Sequence, residues 1–81
     1  MGYHTKKIEK GILGEASKII EEIQEWEDAH THDNPVMELI ELSDLLGAIE
    51  AYTIGKYNIN LRNLLVMTRA TQSAFKDGSR K

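Results

Sequence analysis

The sequence predicts an all-α fold, a small bundle of three main helices, and three observations lead there. Apolar residues recur at three- and four-residue steps through long segments, which is the stripe of an amphipathic helix. Two short stretches, 30–34 and about 55–60, hold the residue types that stop one helix and start the next. No segment alternates apolar and polar residues as a half-buried strand would, and neither an internal repeat nor a low-complexity tract is present.

Helix one is expected from Thr5 to about Ala29, with Ile8, Ile12, Ala16, Ile19, Ile23 and Trp26 as its apolar stripe. Gly11 and Gly14 fall inside it and each costs roughly 1 kcal/mol relative to alanine. Three outcomes stay open for its first turns: fraying, a break, or close packing on a neighbour. His30-Thr31-His32-Asp33-Asn34 reads as a polar turn. Asn34 is then the N-cap of helix two and Pro35 its first residue, where a missing N–H is harmless.

Helix two is expected from Pro35 to about Thr53. Val36, Met37, Leu39, Ile40, Leu42, Leu45, Leu46, Ala48, Ile49, Ala51 and Tyr52 leave it almost no polar face, so it should be buried nearly all round. Gly55 suits the position just past its end. Helix three follows from about Leu61 to Lys76, capped by Asn58 or Asn60, with Leu61, Leu64, Leu65, Met67, Ala70, Ala74 and Phe75 on its apolar side. Gly78 ends it, and residues 78–81 are expected to be loose.

Eighty-one residues make a single domain, 1–81, with a thin core. The chain has no cysteine to form a disulfide or a thiolate metal site, so oligomerisation is the remaining way to stabilise so small a scaffold, and a homo-oligomer is expected. The longest nearly apolar run, Leu45 to Ile54, is interrupted by Glu50 and is far short of the ~20 residues of a membrane span. The first residues do not read as a secretion signal, and a cytoplasmic location is expected. Charge is segregated: residues 1–57 carry five lysines against twelve acids, and residues 58–81 carry five basic residues against Asp77 alone. The acidic front argues against binding duplex nucleic acid, where phosphate neutralisation dominates.

Two pairs of acids stand out. Glu22 and Glu25 lie three residues apart on one face of helix one, and Glu41 and Asp44 repeat the spacing in helix two, which has no lysine or arginine near them. A carboxylate held where water is scarce needs a partner or a cation. Hard oxygen ligands suit Mg²⁺ or Mn²⁺ better than a metal that wants nitrogen or sulfur. Fifteen residues separate Glu25 from Glu41, room for a helix end, a turn and a new helix, so two antiparallel helices can bring both pairs to one point.

The run Glu21-Glu22-x-x-Glu25, a spacer and Glu41-x-x-Asp44 resembles the signature of the all-α nucleoside triphosphate pyrophosphohydrolases. Gly14 to Ile19, Glu38 to Tyr52, and Ala74-Phe75 with Arg80 look like the short, often phage-encoded MazG-like members, and the likeness spans about residues 4–80. The resemblance implies a MazG-like bundle, Mg²⁺ (or Mn²⁺) held by Glu22, Glu25, Glu41 and Asp44, and hydrolysis of an NTP or dNTP to the monophosphate and pyrophosphate. Glu21 then either orients or deprotonates a water or faces solvent, since it lies about 100° from Glu22 around the helix. Arg62, Arg69 and Lys76, spaced by seven, share a face of helix three, and Lys6, Lys7, Lys10 and Lys18 lie on helix one. Of these, Lys18, Arg69 and Lys76 are the candidate phosphate-binding cations. A second subunit is expected to complete the pocket.

Trp26 and Phe75 continue apolar stripes and are expected in the core; Tyr57, in a connection, is freer to meet a base. His30 and His32 lack a third ligand and are expected to face solvent, and neither they nor His4 are assigned to a metal. The competing function is a noncatalytic helical oligomer acting as a binding or regulatory module, and a third is an enzyme for another pyrophosphate-containing substrate such as phosphoribosyl-ATP.

Overall fold

The computed structural model describes residues 7–80, which hold three helices and no strand: α1 (Ala16–Thr31), α2 (Pro35–Tyr57) and α3 (Leu61–Asp77). Tyr3, His4, Lys6, Lys81, the expected helix start at Thr5 and the N-terminal residues read for a secretion signal lie outside the described residues.

Helix one begins at Ala16, later than its apolar stripe suggests, because a turn intervenes. Glu15 N–H donates to the Ile12 carbonyl at 2.9 Å, and Gly14, third in that turn, takes φ +95°, which a side chain resists. Residues 7–15 therefore form a strap outside the helix. Of the three outcomes open for these turns, the structure has the break and the close packing. Ile12 N–H donates to Ser17 Oγ at 3.0 Å, and a Cβ on Gly11 would collide with the backbone of Ser17.

At its other end α1 stops through backbone chemistry. Asp33 takes φ +52°, while Asp33 N–H donates to the His30 carbonyl and Asn34 N–H to that of Ala29. This is the bond pattern of a Schellman motif, with aspartate where glycine is usual. Asn34 then caps α2 as the sequence predicts, its side chain accepting from Met37 N–H at 3.2 Å with Pro35 just inside. The three-residue turn folds α2 back along α1, and this helical hairpin is the packed unit of the chain.

Gly55 does not end α2, which continues to Tyr57 and closes on Asn58 at φ +55°. Asn60, one of the two caps expected, starts α3 by a reciprocal pair of bonds with Asn63. Gly78 ends it as expected, at φ +82°. The tail is not loose through Arg80: Ser79 N–H donates to Asp77 Oδ1, and Arg80 Nη1 donates to Thr71 Oγ1.

Helix α3 has no buried residue and meets the hairpin only weakly, being tied to it at its first turn. There Glu50 Oε2 accepts from Leu61 N–H at 2.9 Å, and Thr53 Oγ1 donates to the Ile59 carbonyl at 2.8 Å. Phe75, expected in the core, is exposed, whereas Trp26 is half-buried and stacks on His30.

The hairpin packs the unexpected face inward. Its buried residues on α1 are Glu21, Glu22, Asp28 and Ala29, and on α2 Glu41 and Ala48. Positions 18, 21, 22, 25, 28 and 29 fall on one side of a 3.6-residue helix, so α1 turns a charged stripe toward α2. Ile20 and Ile23 point away. Within the single chain α2 is not buried all round: Val36, Leu39, Leu42, Leu46 and Ile54 recur along one exposed side, Leu39 at 69 %. Among the described residues no helix is long and apolar enough to cross a membrane.

Candidate metal centre

Short steps along two helices bring the acids together. Glu21, Glu22 and Glu25 occupy successive turns of the inward face of α1, and Glu41 and Asp44 occupy one turn of α2 opposite. One carboxylate oxygen each of Glu22, Glu41 and Asp44 lie within 4.8 Å of one another, and so do those of Glu21, Glu22 and Glu25. Glu22 belongs to both groups. The four acids expected around a cation are thus gathered in two overlapping sets, not one. Asp44 is exposed, contrary to the expectation that water is scarce there, because α2 turns it to the edge of the hairpin.

Glu22 carries the sharpest observation. It is 4 % exposed, its Oε2 lies 3.1 Å from Lys18 Nζ, and its Oε1 is buried with no hydrogen-bond partner. An ionised oxygen in that state is costly, and such atoms in native proteins call for an explanation. A hard divalent cation among carboxylate oxygens is a chemically suitable one, and the all-oxygen set fits Mg²⁺ or Mn²⁺.

Glu25, half-buried beside it, sits among like charges. Burial first, then the charges of and contact with Glu22 and the charges of Glu41 and Glu21, push its carboxyl from 4.5 up to about 7.

Glu21 is in a different state. It is 2 % exposed, so it does not face solvent. Gly11 N–H donates to its Oε1 at 2.7 Å, Lys18 Nζ donates to the same oxygen at 3.2 Å, and Lys10 Nζ lies 3.6 Å from Oε2. Burial pushes its carboxyl up, but the Gly11 bond, Lys18 and Lys10 more than offset this and hold it below the usual range. An oxygen pair so well satisfied is a poor proton acceptor and a good strut. Lys18 is held above the usual lysine range, first by its hydrogen bond to Glu22 and also by Glu21, against the desolvation of burial.

The other expected cations are elsewhere. Arg62, Arg69 and Lys76 are exposed and make no ion pair among the described residues. They lie within about 40° of one another around α3, while the residues of α3 that are partly covered, Leu61, Leu64, Thr68, Thr71 and Ala74, occupy another side. His30 and His32 are exposed as expected but not idle. His30 Nδ1 lies 3.3 Å from Glu38 Oε1, and His32 Nδ1 lies 2.8 Å from the Asp28 carbonyl. Tyr57 is exposed and packs edge-on to Tyr52 beneath the Lys56 ammonium.

Sequence reasoning missed the roles of Gly11, Lys10 and Asp28. The sequence reading takes Lys18 only as a phosphate-binding candidate and misses its pairing with Glu21 and Glu22, although it stands three and four residues before them on one helix face, a spacing that could have shown it. Gly11 was not legible, because only the fold of the strap brings its N–H to Glu21. No family model, no curated protein and no solved structure matches this chain.

Proposed function

We propose that the chain is a divalent-cation-dependent nucleoside triphosphate pyrophosphohydrolase of the MazG-like type, acting on the cytoplasmic nucleotide pool as a homo-oligomer. The observation that carries this reading is the buried, unpartnered Oε1 of Glu22, set among the oxygens of Glu41 and Asp44. Glu22, Glu41 and Asp44 would hold Mg²⁺ or Mn²⁺, with Glu25 beside them. Such an ion supplies neutralisation of the polyphosphate and a bound water of lowered pKa.

The chain's own residues have separable tasks in this reading. Glu21, locked by Gly11, Lys10 and Lys18, positions the first turns of α1 and does not take a proton. Glu25, whose carboxyl is pushed up to about 7 by burial and the neighbouring acids when no cation is present, stands beside the ion's ligands and would gain from its charge. Arg69 and Lys76, exposed and without an ion pair among the described residues, are available to phosphate. The exposed stripe of α2 supports self-association, since a contiguous apolar face in water is normally covered.

The ion pairs of Lys18 with Glu21 and Glu22 favour a second reading, in which these acids only brace a noncatalytic oligomer. One assay separates the two: pyrophosphate release from a panel of NTPs and dNTPs with Mg²⁺ or Mn²⁺. Cation-dependent release that Glu22→Gln abolishes supports the enzyme. No release from any substrate leaves the oligomer.

A further inference from the structure

Lys18 is the positive charge nearest the carboxylate set, and it is shared. Its Nζ lies 3.2 Å from Glu21 Oε1 and 3.1 Å from Glu22 Oε2, one and the same ammonium serving a satisfied acid and an unsatisfied one. The two acids differ in what else they have. Glu21 also has the Gly11 N–H and Lys10, whereas Glu22 has Lys18 as its one ion-pair partner among the described residues, at Oε2, and no hydrogen-bond partner at Oε1. The lysine side chain is about a quarter exposed, at 27 %, so it is not locked in by packing on every side.

We propose that Lys18 is a positioning residue that competes with the divalent cation: it holds Glu22 by Oε2 and must loosen that hold when the ion binds, so its charge sets how tightly the protein takes Mg²⁺ or Mn²⁺. This rests on the metal centre proposed above. A like charge beside a cation site weakens binding, and an ammonium already in contact with a ligand oxygen must also surrender that contact. Glu21, with its two other donors, is the anchor to which Lys18 retreats. The released ammonium stays beside the centre, where it is available to a phosphate oxygen.

Calorimetric titration of the full chain with MgCl₂ and MnCl₂ tests this, with Lys18→Met keeping the length and removing the charge, and Lys18→Arg keeping the charge. Lys18→Met is expected to bind either ion about tenfold more tightly than wild type, and Lys18→Arg to bind like wild type. Equal or weaker binding by a folded Lys18→Met overturns the competition while leaving the metal centre standing. Absence of binding by all three proteins overturns both. Should Lys18→Met fail to fold, wild type labelled with ¹³C-methyl groups on its lysines gives the answer. The Lys18 resonance, assigned by its absence from Lys18→Arg, should move as Mg²⁺ is added. A resonance that stays still while calorimetry records binding overturns the proposal.

Discussion

The backbone N–H of Gly11 lies 2.7 Å from Glu21 Oε1, a bond that closes ten residues of chain and pins the strap to the first turns of α1. The approach is possible because Gly11 has no Cβ; one added there would meet the Ser17 backbone. Gly11→Ala should therefore push the strap off the helix and take a donor from a buried carboxylate, at a cost of about 1–3 kcal/mol in urea unfolding. Gly55→Ala is the contrast. It lies inside α2 with open space around it, and should stabilise by about 0.5–1 kcal/mol.

Glu50 is the second carboxylate with a structural task. By accepting from Leu61 N–H it gives the exposed α3 a negative charge at its N-terminus, where the helix dipole favours one. Since α3 buries nothing of its own, this bond and the Asn60 cap do much to hold its start. Glu50→Ala should raise amide exchange across residues 61–65, with a loss of about 1 kcal/mol of local stability. Unchanged exchange there would mean that Asn60 and Asn63 suffice.

How far the sequence reveals this fold depends on what decides each feature. The starts of α2 and α3 are written locally, in Asn34-Pro35 and Asn60, because a cap needs only its own turn. The end of α2 is misread at Gly55 because a helix can carry a glycine inside it, and Asn58 also tolerates the left-handed conformation. The spacing of the acids is legible for the same reason as the caps, being a property of one helix. Which side of α1 faces inward is not. The apolar stripe from Ile8 to Trp26 competes with the charged stripe from Lys18 to Asp28, and only the packing against α2 chooses between them.

That choice makes stability depend on pH in the absence of a divalent cation. The Glu25 carboxyl has its pKa raised from 4.5 to about 7 by burial and by Glu22, Glu41 and Glu21, so the native state holds its proton more tightly than the unfolded chain. Stability from this group is therefore full below about pH 4.5 and falls as pH rises to about 7, beyond which it stays low. Melting curves in EDTA from pH 4.5 to 8 should show wild type losing Tm relative to Glu25→Gln across that window. Parallel curves would sink this assignment.

The outward stripe of α2 leads to a prediction about assembly. Leu39 and Leu46 stand two turns apart on its exposed side, at 69 % and 47 % exposure. If a second copy covers them, Leu39→Lys with Leu46→Lys should dissociate the oligomer without unfolding the hairpin, since both side chains are exposed. Sedimentation velocity at micromolar concentration should show wild type larger than the variant. A monomeric wild type would refute self-association through this face and remove the reason to expect a pocket shared between subunits.

The metal centre is tested most directly through Glu41 and Asp44, which converge with Glu22 from the opposite helix. Binding of Mg²⁺ or Mn²⁺ to the native state alone stabilises it by roughly 2.7 kcal/mol at a hundredfold excess over Kd, so the melting temperature should climb as the ion is added. Glu41→Gln and Asp44→Asn keep shape and remove charge. Each should abolish that climb and the release of pyrophosphate. In EDTA, each should also leave the protein as stable as wild type or more so, because one charge has gone from among carboxylates that repel one another. A structural ion pair behaves in the opposite way: neutralising its acid strands a cation, at about 3–5 kcal/mol when buried. Arg62, Arg69 and Lys76 make no ion pair among the described residues, so none of these three is the cation that such a change would strand. Loss of stability in EDTA together with no response to either ion would refute the metal centre and leave the acids as braces between α1 and α2.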